Sequence, residues 1–197
     1  MEHDKHQGGE PDKENEQDKR PTPRIYVASL ADYVDGRLHG SWLDASADVD
    51  ELNEGVRAML AASRLPEAEE WAIHDYEGFG PVRLDENESL DVVAALAEGL
   101  REHGPAFGHW AALEGKPGEA ALEEFEHVYL GHWESLTALA EELWDDMGYQ
   151  TALDEALPES LQPYVRFDSE AYGRDLELGG SVSTSEGDGG VYVFGAP

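Results

Sequence analysis

RIYVASLADYVDGRLHGSWLDASADVDE occupies Arg24–Glu51, and its reading decides the fold class. RIYVASLADY and GRLHGSWLDA are strand-like: Tyr26, Val27, Leu38, Trp42 and Leu43 sit in β-favouring runs, with a turn supplied by Asp35-Gly36. The period then changes. DVDE at Asp48–Glu51 is close to a capping box, with Asp in place of Ser or Thr. Val49, Leu52, Val56, Met59 and Leu60 follow at helical spacing, and Pro66 comes after the predicted helix. EEWAIHDY, ending at Tyr76, reads as a third strand. Its alternation places Trp71, Ile73 and Asp75 on one side and Ala72, His74 and Tyr76 on the other. Two strands, a helix and a strand within 24–80 predict a small α+β module.

Further along, ENESLDVVAALAEGLREHG predicts a helix with Ser89 as N-cap and Gly104 as its stop. Leu90, Val93, Ala97 and Leu100 form its apolar stripe. A short helix around Pro105–Leu113 and a turn at EGKPGE come next. Two more helices are predicted over about 119–130 and 135–147. Leu122, Phe125 and Tyr129 face inward on the first, and Leu136, Leu139, Leu143 and Met147 on the second. Residues 81–150 thus read as a helical subdomain. The pattern mixes again over 151–197: Asp168 caps a helix through Leu176, and SVSTSEGDGGVYVFG forms two short strands around a Gly-rich turn. Residues 1–23 hold no large apolar side chain except Met1 and read as a disordered tail.

The formal net charge is −31, from 44 acids against 13 Lys and Arg. The tail contributes only −3, so the charge belongs to the folded part. Such a field repels nucleic acid and anionic membranes and attracts basic surfaces. Five Trp and eight Tyr separate the chain from disordered acidic sequences. There are no cysteines, which excludes disulfides, thiolate metal sites and cysteine nucleophiles and fits a cytoplasmic protein. The polar N-terminus shows no secretory signal, and no apolar run is long enough to span a bilayer.

Catalytic and metal patterns fare poorly. Glu124-x-x-His127 has the spacing used in di-iron bundles, but no second Glu-x-x-His exists to complete a site. His127 and His132 fall on different helix faces, and His74 and Asp75 point to opposite sides of a strand. Lys116 is the only lysine after the tail, and it lies in a Gly-Pro turn beside Glu114 rather than with a carboxylate set on a strand. Gly78-x-Gly80 is followed by Pro81 and lacks the third glycine of a dinucleotide loop. Paired carboxylates for glycoside hydrolysis have many candidates and no distinguishing spacing. No catalytic residue, metal ligand or cofactor is assigned.

The acids cluster instead. EEFEHVYLGHWESLTALAEELWDDMG, Glu123–Gly148, holds eight carboxylates and neither Lys nor Arg. Residues 114–159 carry thirteen acids against Lys116 alone, whereas 24–66 mix seven acids with four arginines. A uniformly solvated halophilic surface would not require this unevenness. If mostly helical, those 46 residues carry one net charge per roughly 6 Å of axis. Duplex DNA carries one per about 1.7 Å, so about three such elements abreast approach its density.

The chain resembles the ArdA-type antirestriction proteins. The resemblance is carried by TPRIYVASLADYVDGRLHGSWLDA, EEWAIHDYEGFG, ENESLDVVAALAEGL, YLGHWESLTALAEEL and LPESLQPYVRFDSEAYGRDLEL, which together cover nearly everything after Pro21. It implies an elongated protein of three subdomains in a row, here 24–80, 81–150 and 151–197. It implies mimicry of B-form DNA, a homodimer, and occupation of the DNA-binding groove of type I restriction-modification enzymes, without enzymatic activity or direct nucleic-acid binding. On that basis Glu114, Glu119, Glu123, Glu124, Glu126, Glu134, Glu141, Glu142, Asp145, Asp146, Asp154 and Glu155 are the expected phosphate surrogates. Val128, Tyr129, Trp133, Leu136 and Leu143 are the scaffold that spaces them, and Leu130–Leu143 is the nearest match to the family's antirestriction segment. Tyr164, Phe167, Tyr172 and Val191 are the expected dimer contact. The alternative is an acidic protein that sequesters basic DNA-binding regulators.

Overall fold

Residues 21–115 and 121–196 are described by the computed structural model, with the side chains of 121–123 excepted. The expected disordered tail lies mostly outside them. Pro21–Pro23, however, belong to the fold: Ala45 N donates to the Pro23 carbonyl at 2.9 Å. The chain forms two compact units, one reaching Phe79 and including Leu84–Leu90, the other made of Gly80–Arg83 and the residues from Asp91 onward.

In the first unit, β1 (Arg24–Ser29) is the middle strand of an antiparallel sheet of order β2-β1-β3, with β2 at Gly40–Asp44 and β3 at Trp71–Glu77. Ile25, Val27 and Ile73 are buried on its inner face beside Leu52, Val56 and Met59 of α2 (Val49–Ala61). Asp48 caps α2 as the sequence predicts, accepting from Glu51 N at 2.8 Å. Gly55 lets the helix approach closely, since a Cβ there would lie 2.7 Å from Leu43 Cδ2.

Two expectations are corrected here. Leu30–Val34 is a short helix, α1, rather than an extension of β1. Ser29 caps it, and the buried Asp32 accepts from Ser63 Oγ at 2.6 Å, which ties α1 to the end of α2. The alternation of β3 also breaks. The register passes from Tyr26↔Asp75 to Val27↔Ile73, so His74 bulges out of the pairing. Ile73 therefore faces the core while Asp75 faces solvent beside Tyr26, and the two do not share a side.

The first helices of the second unit are α3 (Leu90–His103), which belongs to it from Asp91 on, and α4 (Pro105–Glu114). Gly104 joins them at φ 66°, a left-handed backbone that favours glycine, and Pro105 sits at the first helical position of α4. The α3 stripe is buried through Leu90, Val93, Leu96 and Ala97. Phe107 and Trp110 of α4 meet Phe125 of α5 (Ala121–Val128) at centroid distances of 5.4 and 5.7 Å. The predicted helix over about 119–130 stops at Val128, and Tyr129–Trp133 is a strand, β4. It pairs with β6 (Gly190–Gly195), which pairs with β5 (Val182–Gly187), giving an antiparallel sheet of order β4-β6-β5. Asp188 and Gly189, both at positive φ, form the two-residue hairpin turn. An all-helical 81–150 is thus corrected at β4. Tyr129 still packs inward, stacking on Phe125 at 5.1 Å.

Three helices complete the unit: α6 (Leu136–Asp146), α7 (Tyr149–Ala156) and α8 (Ser169–Leu178), with a 3-10 turn at Gln162–Tyr164. Asp168 caps α8 as predicted, accepting from Ala171 N at 2.9 Å. Met147, expected on the inner face of α6, is 63% exposed, because the helix ends there and Gly148 turns the chain at φ 66°.

Candidate functional site

Helix α6 is the framework of the densest acidic stretch. Ser135 caps it, accepting from Ala138 N at 3.2 Å. Leu139 and Ala140 are buried, and Leu136 and Leu143 pack half-buried beside Val182 and Val193 of the sheet and Leu176 of α8. Gly173 permits that approach, since a Cβ there would lie 2.8 Å from the Leu136 carbonyl oxygen. Fixing this side leaves Glu141, Glu142, Asp145 and Asp146 on the other, and all four are exposed. At about 100° per residue they fan over roughly 140° of arc. Four charges in six residues take up roughly 9 Å of axis, about one per 2 Å, close to the duplex value of about 1.7 Å.

The remaining predicted surrogates occupy several elements. Glu114 ends α4, Glu124 and Glu126 lie on α5, Glu134 precedes α6, and Asp154 and Glu155 lie on α7; all are exposed. Glu119 lies outside the described residues, and for Glu123 only the backbone position on α5 is described. The burial pattern holds across both units: among the described residues, Asp32 is the one buried carboxylate and Glu88 the one half-buried.

Three of the predicted surrogates are held by neutral donors. Trp133 Nε1 donates to Glu142 at 2.7 Å, Ser169 Oγ to Glu141 at 3.1 Å, and Gln150 Nε2 to Asp154 at 2.8 Å. Such bonds fix orientation and leave the negative charge uncancelled. Among the described residues, no Lys or Arg lies within 4.0 Å of any predicted surrogate, and His103 Nε2 lies 4.0 Å from Glu126.

The four residues expected at a dimer contact differ in setting. Tyr164 is 83% exposed. Phe167 and Tyr172 are half-buried in an aromatic stack, with Phe167 4.0 Å from Trp144 and 5.4 Å from Tyr172. Val191 packs against Leu139, Val182 and Val193. The sequence reading passed over Tyr149, Leu161 and Val165, which stand exposed near Tyr164 in the chain. Neither α7 nor the 3-10 turn holds a buried residue, so no inward apolar face marked this segment in the sequence.

His132 and His109 serve packing. His132 Nε2 donates to the Gly187 carbonyl at 3.0 Å. His109 stacks on Tyr192 at 4.5 Å and hydrogen-bonds Ser185 at 2.7 Å. Burial holds His109 below its ordinary pKa of 6.5, with Asp188 opposing the shift and His132 adding to it. Among the described residues, no three His, Asp or Glu side chains gather closely enough to hold a metal ion, and no helix is long and apolar enough to cross a membrane.

No curated protein matches the chain. A family does: the profile described as antirestriction protein (ArdA) matches residues 25–190, from β1 to the start of β6. With the match covering most of its length, the chain belongs to the ArdA antirestriction protein family.

Proposed function

We propose that the protein blocks restriction by imitating B-form DNA. Its carboxylates stand in for phosphates and occupy the DNA-binding groove of a type I restriction-modification enzyme, with no catalytic step of its own. The observation that carries this reading is α6: four exposed carboxylates at near-duplex density, opposite an apolar side that fixes them, and without Lys or Arg partners among the described residues. A basic groove supplies the missing cations, and association bends no DNA. The family match supports the antirestriction role. A homodimer built through the exposed Leu161–Val165 stretch, with Tyr164 at its centre, would extend the acidic array; its apolar contact offsets the repulsion of two strongly negative chains.

The test is binding of the full chain to a purified type I methyltransferase core, with duplex DNA as competitor. Competitive displacement that weakens as salt rises supports the reading. Binding to basic DNA-binding regulators, without preference for the restriction enzyme, identifies the protein as a general sequestering agent instead.

A further inference from the structure

The solvent face of the first unit's sheet carries two rows of three residues. Strand register sets Asp44, Arg24 and Glu77 side by side, and Trp42, Tyr26 and Asp75 in the adjacent row. Directly opposed residues in antiparallel strands project to the same side. The bulge at His74 is what brings Asp75 there; unbroken alternation would turn it away from Tyr26. Tyr26 and Trp42 meet at 5.5 Å with rings inclined by 57°. The Arg24 guanidinium lies 4.5 Å from the Trp42 ring centroid, and its Nη2 is 2.7 Å from Glu77 Oε2.

The face therefore displays its own ligand chemistry. A guanidinium rests on an indole and is gripped by a carboxylate, which is how aromatic faces recognise arginine. The face has capacity beyond Arg24. Trp42 retains 37% exposure. Asp44 and Asp75 are exposed, and each is oriented by one backbone amide: Ser46 N donates to Asp44 and Tyr76 N to Asp75, at 2.9 and 2.8 Å. Among the described residues neither has a Lys or Arg within 4.0 Å.

We infer that this sheet face is a docking surface for arginine side chains of the protein partner, which stack on Trp42 and Tyr26 and pair with Asp44 and Asp75. Arg24 is the intramolecular occupant of the same chemistry. The inference rests on the proposed function for the partner's identity, because a DNA-binding groove is arginine-rich. It adds a contact that a phosphate backbone does not offer, and one that salt screens less than an exposed charge pair.

Two measurements test it. In the first, the full chain binds a type I methyltransferase core at low salt and at about 300 mM salt. Trp42→Leu is expected to weaken binding about five- to tenfold at both concentrations, while Trp42→Phe, which keeps a π-face, stays within about twofold. Unchanged binding by Trp42→Leu, with the wild type binding, overturns the docking surface and leaves DNA mimicry standing. Absence of any wild-type binding overturns mimicry instead, and the second measurement then decides the surface alone. It titrates the 15N-labelled wild type with tetra-arginine and tetra-lysine peptides, so no variant need fold. A Trp42 indole Nε1 shift larger for arginine than for lysine, and retained at about 300 mM salt, supports the surface. Equal shifts with both peptides, or none, overturn it.

Discussion

Neutralising α6 should weaken function and strengthen the fold at once. The perturbation is Glu141→Gln, Glu142→Gln, Asp145→Asn and Asp146→Asn, singly and together. Each amide keeps an oxygen, so Trp133 Nε1 and Ser169 Oγ retain acceptors on residues 142 and 141. Glu141 with Asp145 and Glu142 with Asp146 are like charges four residues apart, each pair costing the helix about 0.2–0.5 kcal/mol. Removing both raises stability by roughly 0.5–1 kcal/mol, a shift of a few degrees at most in the melting temperature. Against a basic groove each carboxylate contributes on the order of 0.5–1 kcal/mol. A single variant should then lose about two- to fivefold in affinity, and the set about 2–4 kcal/mol, or roughly 30- to 1,000-fold. The assay pairs inhibition of a type I restriction enzyme, across a salt series, with thermal unfolding of the same preparations. Complete loss of inhibition in one folded single variant would point to a discrete site and refute the distributed-charge reasoning. So would a quadruple variant that inhibits normally, and a quadruple variant less stable than the wild type would refute the account of the helix.

Phe125→Ala empties the centre of the aromatic cluster of α4, α5 and β6 and should cost about 3–5 kcal/mol, read by urea unfolding. Acidification supplies a signed test at His109. Its folded pKa lies below 6.5, so between those values the unfolded chain holds a proton that the folded chain does not. Stability should be flat above pH 6.5, decline as pH falls below it, and decline less in His109→Gln; thermal melts from pH 7.5 to 5.5 check this before carboxylates titrate. Asp32, held below its ordinary 3.8 first of all by the Ser63 hydrogen bond, keeps its contribution through that range and loses it only in stronger acid. Tyr164→Glu should dissociate the proposed dimer in sedimentation while leaving the unfolding transition in place, since that side chain is 83% exposed.

The sequence made some elements legible and concealed others for identifiable reasons. Asp48 before a helical apolar pattern, and Asp188-Gly189 between β-branched runs, are local signals, and α2 and the β5–β6 hairpin followed from them. β4 is not local. Tyr129–Trp133 continues an apolar helical pattern, and its partners near Tyr192 lie some sixty residues on, so only the tertiary pairing makes it a strand. Leu30–Val34 looked like more strand because apolar residues run straight on from β1, yet Ser29-x-x-Asp32 was a capping signal within reach. α7 escaped notice because no face of it is buried. The acidic cluster was legible from charge alone, since exposed acids need no register. The Trp42–Tyr26–Asp75 row was not, because it depends on a one-residue bulge that alternation does not encode.

The pairing of Trp133 with Val191 sets a timetable for synthesis. A ribosome adding about 5–20 residues per second releases α6 several seconds before β6 exists to receive it. During that interval the apolar side of α6 has no sheet to cover it, while its carboxylates are already in water. Nascent chains in this condition stick to one another, and the same dense charge that loads the finished surface keeps neighbouring chains on a polysome apart.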